Sequence, residues 1–218
     1  MSDTIRRIHL VRHGESTWNA VRRVQGNHGE VDLSELGRAQ ARLLGERLRG
    51  IEFARVFCSS VERAVQPARL ALGEDHSIEF MDDLREISFG AWEGMLVSEV
   101  EERYPGELEL WFRSPSKVTI EGAEPFGEFH ERAGRTVDGI IDDTEGDVLI
   151  ISHGGIICAW LTHVLGMSPD DIWSFSLPNT SLTTVMIDFR PRLRLLGDVS
   201  HLDGKTLGFD GMPAPVRK

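Results

Sequence analysis

The sequence predicts an α/β fold: a three-layer sandwich whose mostly parallel sheet carries helices on both faces, with a helical and loop insertion over one edge. Two observations predict it. Aliphatic runs at 8–11, 53–58 and 147–152 have the length of buried strands, and each gives way to polar residues and then to a segment with helical spacing. The second observation is length. A chain of 218 residues can enclose one continuous core, so a single domain over 1–218 is the expected organisation.

The elements follow in order. Ile8 to Val11 reads as a buried strand ending in polar residues, which is where α/β proteins place ligands. A loop through Gln25, Gly26, Asn27, His28 and Gly29 follows. Ser34 then caps a helix carrying Leu36, Leu43, Leu44 and Leu48, and Gly50 stops it. FARVFC (53–58) reads as a second strand, and a helix from about Val61 to Leu72 follows it. Pro67 is awkward there, because it removes the bond to the carbonyl four residues earlier and is tolerated best in the first turns.

FMDDLREISFGAWEG (80–94) lacks helical periodicity and reads as an ordered loop. Val97 to Tyr104 is a short helix ended by Pro105-Gly106. A longer helix follows Pro125, through Phe129, Ala133, Val137, Ile140 and Ile141. The insertion, about 87–130, is placed to roof a site. DVLIIS (147–152) is the clearest strand, and the helix behind it begins at the glycines of HGG. Runs at 181–188 and 193–199 complete the sheet, and the tail, about 208–218 with Pro213 and Pro215, reads as mobile.

Composition narrows the function. Lys and Arg number 24 against 35 Asp and Glu, a formal charge of −11 that repels nucleic acid and anionic membrane surfaces. An anionic substrate therefore needs a local cationic pocket. No apolar stretch approaches the roughly 18 residues of a membrane span, and no signal-peptide pattern is visible, so a cytoplasmic protein is expected. The two cysteines, Cys58 and Cys158, have no metal-type spacing and read as buried free thiols.

Three strand ends carry matching chemistry: Arg12-His13-Gly14, Arg63, and His153-Gly154-Gly155. The carboxyl ends of parallel strands share one edge, so these groups converge despite their separation in sequence. Guanidinium forks, imidazoles and helix N-terminal amides form a phosphate socket. Cations keep a histidine among them neutral, with a ring nitrogen free to attack phosphorus. Such an attack needs an acid for the leaving group, and Glu86, in a glycine-punctuated loop, is the best placed carboxyl. A lone R-H-G triplet is weak. RHGESTWN and ISHGG, each behind an aliphatic strand, are far more specific together.

From about Ile8 to His201 the chain resembles the histidine phosphatase superfamily, the phosphoglycerate mutase-like proteins. The landmarks are LVRHGESTWN, VQG, LSELGRAQA, CSSVERA, LREISFGAWEG, GAEPFGEFHER, ISHGG and GDVSH. The resemblance implies a phosphomonoester hydrolase in which His13 is transiently phosphorylated, Arg12, Arg63 and His153 clamp the phosphoryl group, and Glu86 donates a proton. It further implies Asn19 and the Gly154 amide as phosphate contacts, and Gln25 and Gly26 on the substrate side. No metal or organic cofactor is implied, the partner is a small-molecule phosphate ester, and a homodimer is a possible assembly. Two departures stand out: Pro67 occupies a usual threonine position, and GAEP replaces a usual Gly-Gly-Glu-Ser.

Mutases of the family grip phosphoglycerate with a tyrosine and a lysine where this chain has Phe89 and Val97, and Trp111 is followed by Phe112-Arg113 in place of two arginines. Fewer anion donors favour hydrolysis over phosphoglycerate mutase activity. A non-catalytic phosphate-binding regulatory module is a third reading, and it predicts the loss of at least one reacting group, whereas all are present. The remaining features read as structural: His9, His76, His130, His163 and His201 as surface or loop groups, His28 as a group near the pocket, Glu99, Glu101 and Glu102 as a solvated helix face, and Trp92, Trp111 and Phe112 as packing.

Overall fold

Alternation along the central strands decides the layers, because successive side chains of a strand face opposite ways. The computed structural model describes residues 5–204. Its strands are β1 (Arg6–Arg12), β2 (Arg55–Ser59), β3 (Glu79–Met81), β4 (Val148–Ser152), β5 (Leu182–Ile187) and β6 (Pro191–Asp198). Its helices are α1 (Thr17–Ala20), α2 (Glu35–Leu48), α3 (Glu62–Leu72), α4 (Val97–Arg103), α5 (Glu107–Arg113), α6 (Phe126–Asp142) and α7 (Gly154–Val164). Ile8, Leu10, Phe57, Val148 and Ile150 face α6, α7 and the aromatic residues of the insertion. Val11, Val56, Cys58, Leu149 and Ile151 face Leu44 and Leu48 of α2 and Ala64 and Ala68 of α3. Helices thus cover both faces, as expected.

The strand order is β3-β2-β4-β1-β5-β6. The first three neighbouring pairs are parallel and the last two antiparallel. Arg12 pairs with Ser152, and Cys58 with Ile151, so β1, β2 and β4 end at one level. That register brings the residues just beyond Arg12, Ser59 and Ser152 to a common edge.

The segment read as a continuous loop at 80–94 is corrected. It opens with strand β3 on the sheet's edge and then makes 3-10 turns at Asp82–Leu84 and Gly90–Trp92. The strand pairs on one side only and lies largely exposed, so no hydrophobic alternation marked it. Helix α5, which the sequence reading also lacked, buries only Leu108 and Trp111, too few to register as a period. Pro67 lies in the second turn of α3, where it is buried and leaves the Arg63 carbonyl without its helical donor. Ser34 caps α2 as expected, accepting from the Gly37 amide at 3.0 Å. No helix among the described residues is long and apolar enough to cross a membrane. The tail, about 208–218, lies outside the described residues.

Candidate active site

The five reactive groups named from the sequence meet at the shared strand edge. His13 follows β1 and is 3% exposed. Its amide donates to the Ser152 carbonyl at 2.8 Å, and Nδ1 lies 2.7 Å from the Gly14 carbonyl. A carbonyl only accepts, so Nδ1 carries the ring proton and Nε2 keeps its lone pair. Burial first, then Arg63 and Arg12, hold the imidazole well below its ordinary pKa. The His13 carbonyl accepts from the Thr180 amide at 3.1 Å and Asn179 Nδ2 at 3.0 Å. Thr180 achieves this at φ 55°, a strained setting for a β-branched residue.

Arg63 is 1% exposed. Its Nη1 donates to the His28 carbonyl at 2.7 Å and its Nη2 to the Gly26 carbonyl at 2.6 Å, while its buried Nε has no protein partner. Burial pushes its pKa down to about 10, so it stays charged at neutral pH. Arg12 leaves the end of β1 and donates from Nη1 to the Leu177 carbonyl at 2.6 Å. The His153 ring stands edge-on to that of His13, with centroids 5.2 Å apart. Burial, then Arg63, His13, Arg12 and Arg132, keep His153 neutral.

Glu86 accepts from the Ile87 amide at 3.0 Å and from the Gly155 amide at 2.8 Å. Burial raises its pKa and outweighs the opposing pull of those amides, Arg63 and Arg12. A Cβ on Gly155 would overlap Glu86 Oε1, so the second glycine of ISHGG is the space the acid occupies. The loop bearing Glu86 is fixed from two sides. Ser152 Oγ donates to the Leu84 carbonyl at 2.6 Å, and Arg132 Nη1 donates to the carbonyls of Asp83 and Arg85. Arg132 in turn forks onto Glu124, at 2.8 and 2.7 Å. The GAEP variant therefore keeps the carboxylate that matters to this clamp.

The four residues assigned to phosphate or substrate contacts lie between β1 and α2 (Asn19, Gln25, Gly26) and at the start of α7 (Gly154). Asn19 closes a capping box with Ser16 at the start of α1, and Ser16 Oγ donates to Gln25 Oε1 at 2.7 Å. Gly26 sits at φ 51° and offers its carbonyl to Arg63, and Glu93 fills the space where a Gly26 side chain would stand. Gly154 begins α7 beside Arg12. The sequence reading missed Ser59, Glu93, Arg132 and the Asn179-Thr180 pair. Ser59 had a signal, since it ends β2 at the same level as the other reactive strand ends. Glu93 joins the insertion to the loop before it, accepting from the amides of Phe89 and Asn27.

Residues 8–198 match the model of the histidine phosphatase superfamily, branch 1. The chain belongs to that superfamily. It is an enzyme of the histidine phosphatase type, as the resemblance implied. It is 33% identical over 201 residues to phosphoserine phosphatase 1 of Hydrogenobacter thermophilus, covering 88% of this chain and 92% of that one. It is 31% identical over 214 residues to the probable phosphoglycerate mutase GpmB of Enterobacter sp., covering 92% and 96% of the two. Among solved structures it resembles Bacillus stearothermophilus YhfR, with TM-score 0.84 and 32% identity over 90% of this chain and 98% of that one.

Proposed function

We propose that the chain is a metal-independent phosphomonoester hydrolase that works through a phosphohistidine on His13, with Glu86 as proton donor. The supporting observation is the Gly14 carbonyl on Nδ1 of a buried, neutral His13, which leaves Nε2 as the nucleophile. In the first step, Nε2 forms a bond to phosphorus as the bond to the leaving alcohol oxygen breaks, and the Glu86 proton passes to that oxygen. In the second, Glu86 takes a proton from water as the water oxygen attacks phosphorus. The phosphorus–nitrogen bond breaks, freeing inorganic phosphate and restoring both residues.

Arg12, Arg63 and His153 hold the charge that spreads over the transferring phosphoryl oxygens, a task that guanidiniums perform with fixed forks. Asn19 and the Gly154 amide add contacts to the phosphate. Gln25 and Gly26 act on the substrate side, Gly26 through its grip on Arg63.

Hydrolysis is favoured over mutase activity because the positions that would grip phosphoglycerate are packing residues. Phe89 and Val97 are 3% and 5% exposed, and Phe89 stands edge-on to Trp111. Phe112 packs on Trp173, and Arg113 pairs with Glu109 at the surface. Incubation with 3-phosphoglycerate, following inorganic phosphate and 2-phosphoglycerate together, tests this choice. Phosphate release should exceed isomer formation, and the reverse overturns it. A panel of small phosphomonoesters, ranked by kcat/KM, then identifies the substrate class.

A further inference from the structure

Ser59 lies wholly buried at the end of β2, with its Oγ 2.8 Å from Nε2 of His153. His153 is itself 1% exposed, and Nδ1, its other ring nitrogen, is buried with no partner. A neutral imidazole has one proton, and the hydroxyl decides which nitrogen holds it. Two arrangements are chemically open. If Nε2 carried the proton, Ser59 Oγ would accept from it as well as from the Val61 amide, which reaches it at 3.4 Å. The hydroxyl proton would then have no acceptor among the described residues, on a side chain that is wholly buried. Nδ1 would also present a lone pair to an incoming anion.

If Ser59 donates to Nε2 instead, every Ser59 group is satisfied: Oγ accepts from Val61 and gives its proton to His153. The proton of the ring then sits on Nδ1, an N–H without a protein acceptor on a ring 5.2 Å from the nucleophile's. A buried donor is costly to leave unmet, and a phosphoryl oxygen meets it. We propose that Ser59 is a positioning residue whose hydroxyl holds His153 in its Nδ1–H form, so that a neutral histidine serves as a donor to the transferring phosphoryl group. This rests on the hydrolase reading for the identity of the acceptor, but the tautomer itself does not.

The arrangement mirrors that of His13. There a backbone carbonyl places the proton on Nδ1 and frees Nε2 to attack, whereas here a hydroxyl places it on Nδ1 to be given as a hydrogen bond. The two rings are therefore set to opposite tasks by buried neighbours.

The test is imidazole 15N NMR of the full chain at neutral pH, for the wild type, Ser59→Ala and Ser59→Thr. The wild type should show His153 as the Nδ1–H form, with that resonance moving on titration with inorganic phosphate. Ser59→Ala should lose that form or mix it with Nε2–H, and Ser59→Thr, which keeps the hydroxyl, should restore it. With an aryl phosphate, Ser59→Ala should lower kcat about tenfold or more and change KM much less, the pattern of a donor that matters most in the transition state. Ser59→Thr should recover part of the turnover. An Nε2–H signal for His153 in the wild type, or an unchanged Nδ1–H signal in Ser59→Ala, overturns the proposal. A wild type that shows the Nδ1–H form yet hydrolyses no phosphomonoester overturns the hydrolase reading and leaves the Ser59 assignment standing.

Discussion

His13 and Glu86 are perturbed in opposite directions by the same cause, burial, because one is charged when protonated and the other when deprotonated. The signs give a pH profile. Lowering the His13 pKa keeps its Nε2 free well below pH 6.5, so the acidic fall in kcat/KM should lie below the ordinary histidine range. Raising the Glu86 pKa keeps the leaving-group proton available above the ordinary glutamate range, so activity should decline as pH rises through that raised value. Glu86→Gln should abolish this alkaline limb and lower kcat for alkyl phosphates by about 10²- to 10⁴-fold, the worth of a positioned proton donor. In kcat/KM, which reports the phosphorylation step and not the later attack of water, aryl phosphates, whose leaving groups need less help, should lose far less, and pH–rate profiles for both ester types check it. Equal losses in kcat/KM on both would mean that Glu86 is not the donor. His13→Ala should remove turnover of either ester. The positions of the five proposed reacting groups were legible in the sequence, because Arg12, His13, Arg63 and His153 lie at or soon after the end of a strand and Glu86 in a glycine-marked loop.

At the scale of elements, the start of α7 and the clamp from α6 are what hold Glu86. Gly155→Ala puts a methyl group where the carboxylate lies, and the helix cannot yield without moving His153. This variant should fold but lose most of its kcat, and its profile on alkyl and aryl esters should resemble that of Glu86→Gln. Arg132 grips the chain just before Glu86, at the carbonyls of Asp83 and Arg85, and is itself forked onto Glu124. Arg132→Ala should destabilise the fold by about 1–3 kcal/mol, read by urea unfolding, and lower kcat about tenfold through a loosened acid loop. Arg132→Lys should rescue neither, since an ammonium cannot span two carbonyls and a carboxylate at once. These contacts were not legible. GAEP and HER are eight residues apart at their functional ends, and nothing in their spacing says that they reach back to residues 83–85. The same holds for β3 and α5, whose exposed or aromatic-lined faces carry no period. By contrast β1 and β4 were legible as unbroken aliphatic runs buried on both faces, and α2 and α6 by the spacing that one buried face imposes.

The whole molecule stores several histidines in their neutral form, and this couples the site to global stability. His13, His153, His9, His130 and His201 all have lowered pKa values, with burial the first cause in each. In the unfolded chain each would titrate near 6.5. Below that pH the unfolded state binds more protons than the folded one, so stability must fall as pH drops through about 6.5. One pH unit lower, the fully buried His13 and His153, held well below the ordinary value, each cost about 1.4 kcal/mol, and the partly buried three cost less. The Glu86 shift has the opposite sign: its contribution is present below the unfolded glutamate value and lost as pH rises through the raised one. Urea unfolding between about pH 7.5 and 5.5 should therefore show a steep acid loss in the wild type. His13→Ala and His153→Ala should each flatten that loss, because each removes one proton that only the unfolded chain can take up. A wild-type stability that holds flat down to pH 5.5 would falsify the view that this edge of the sheet is built around neutral imidazoles. In the proposed mechanism the same burial that depresses His13 supplies its attacking lone pair, so part of the acid stability is given up where that chemistry needs an uncharged ring.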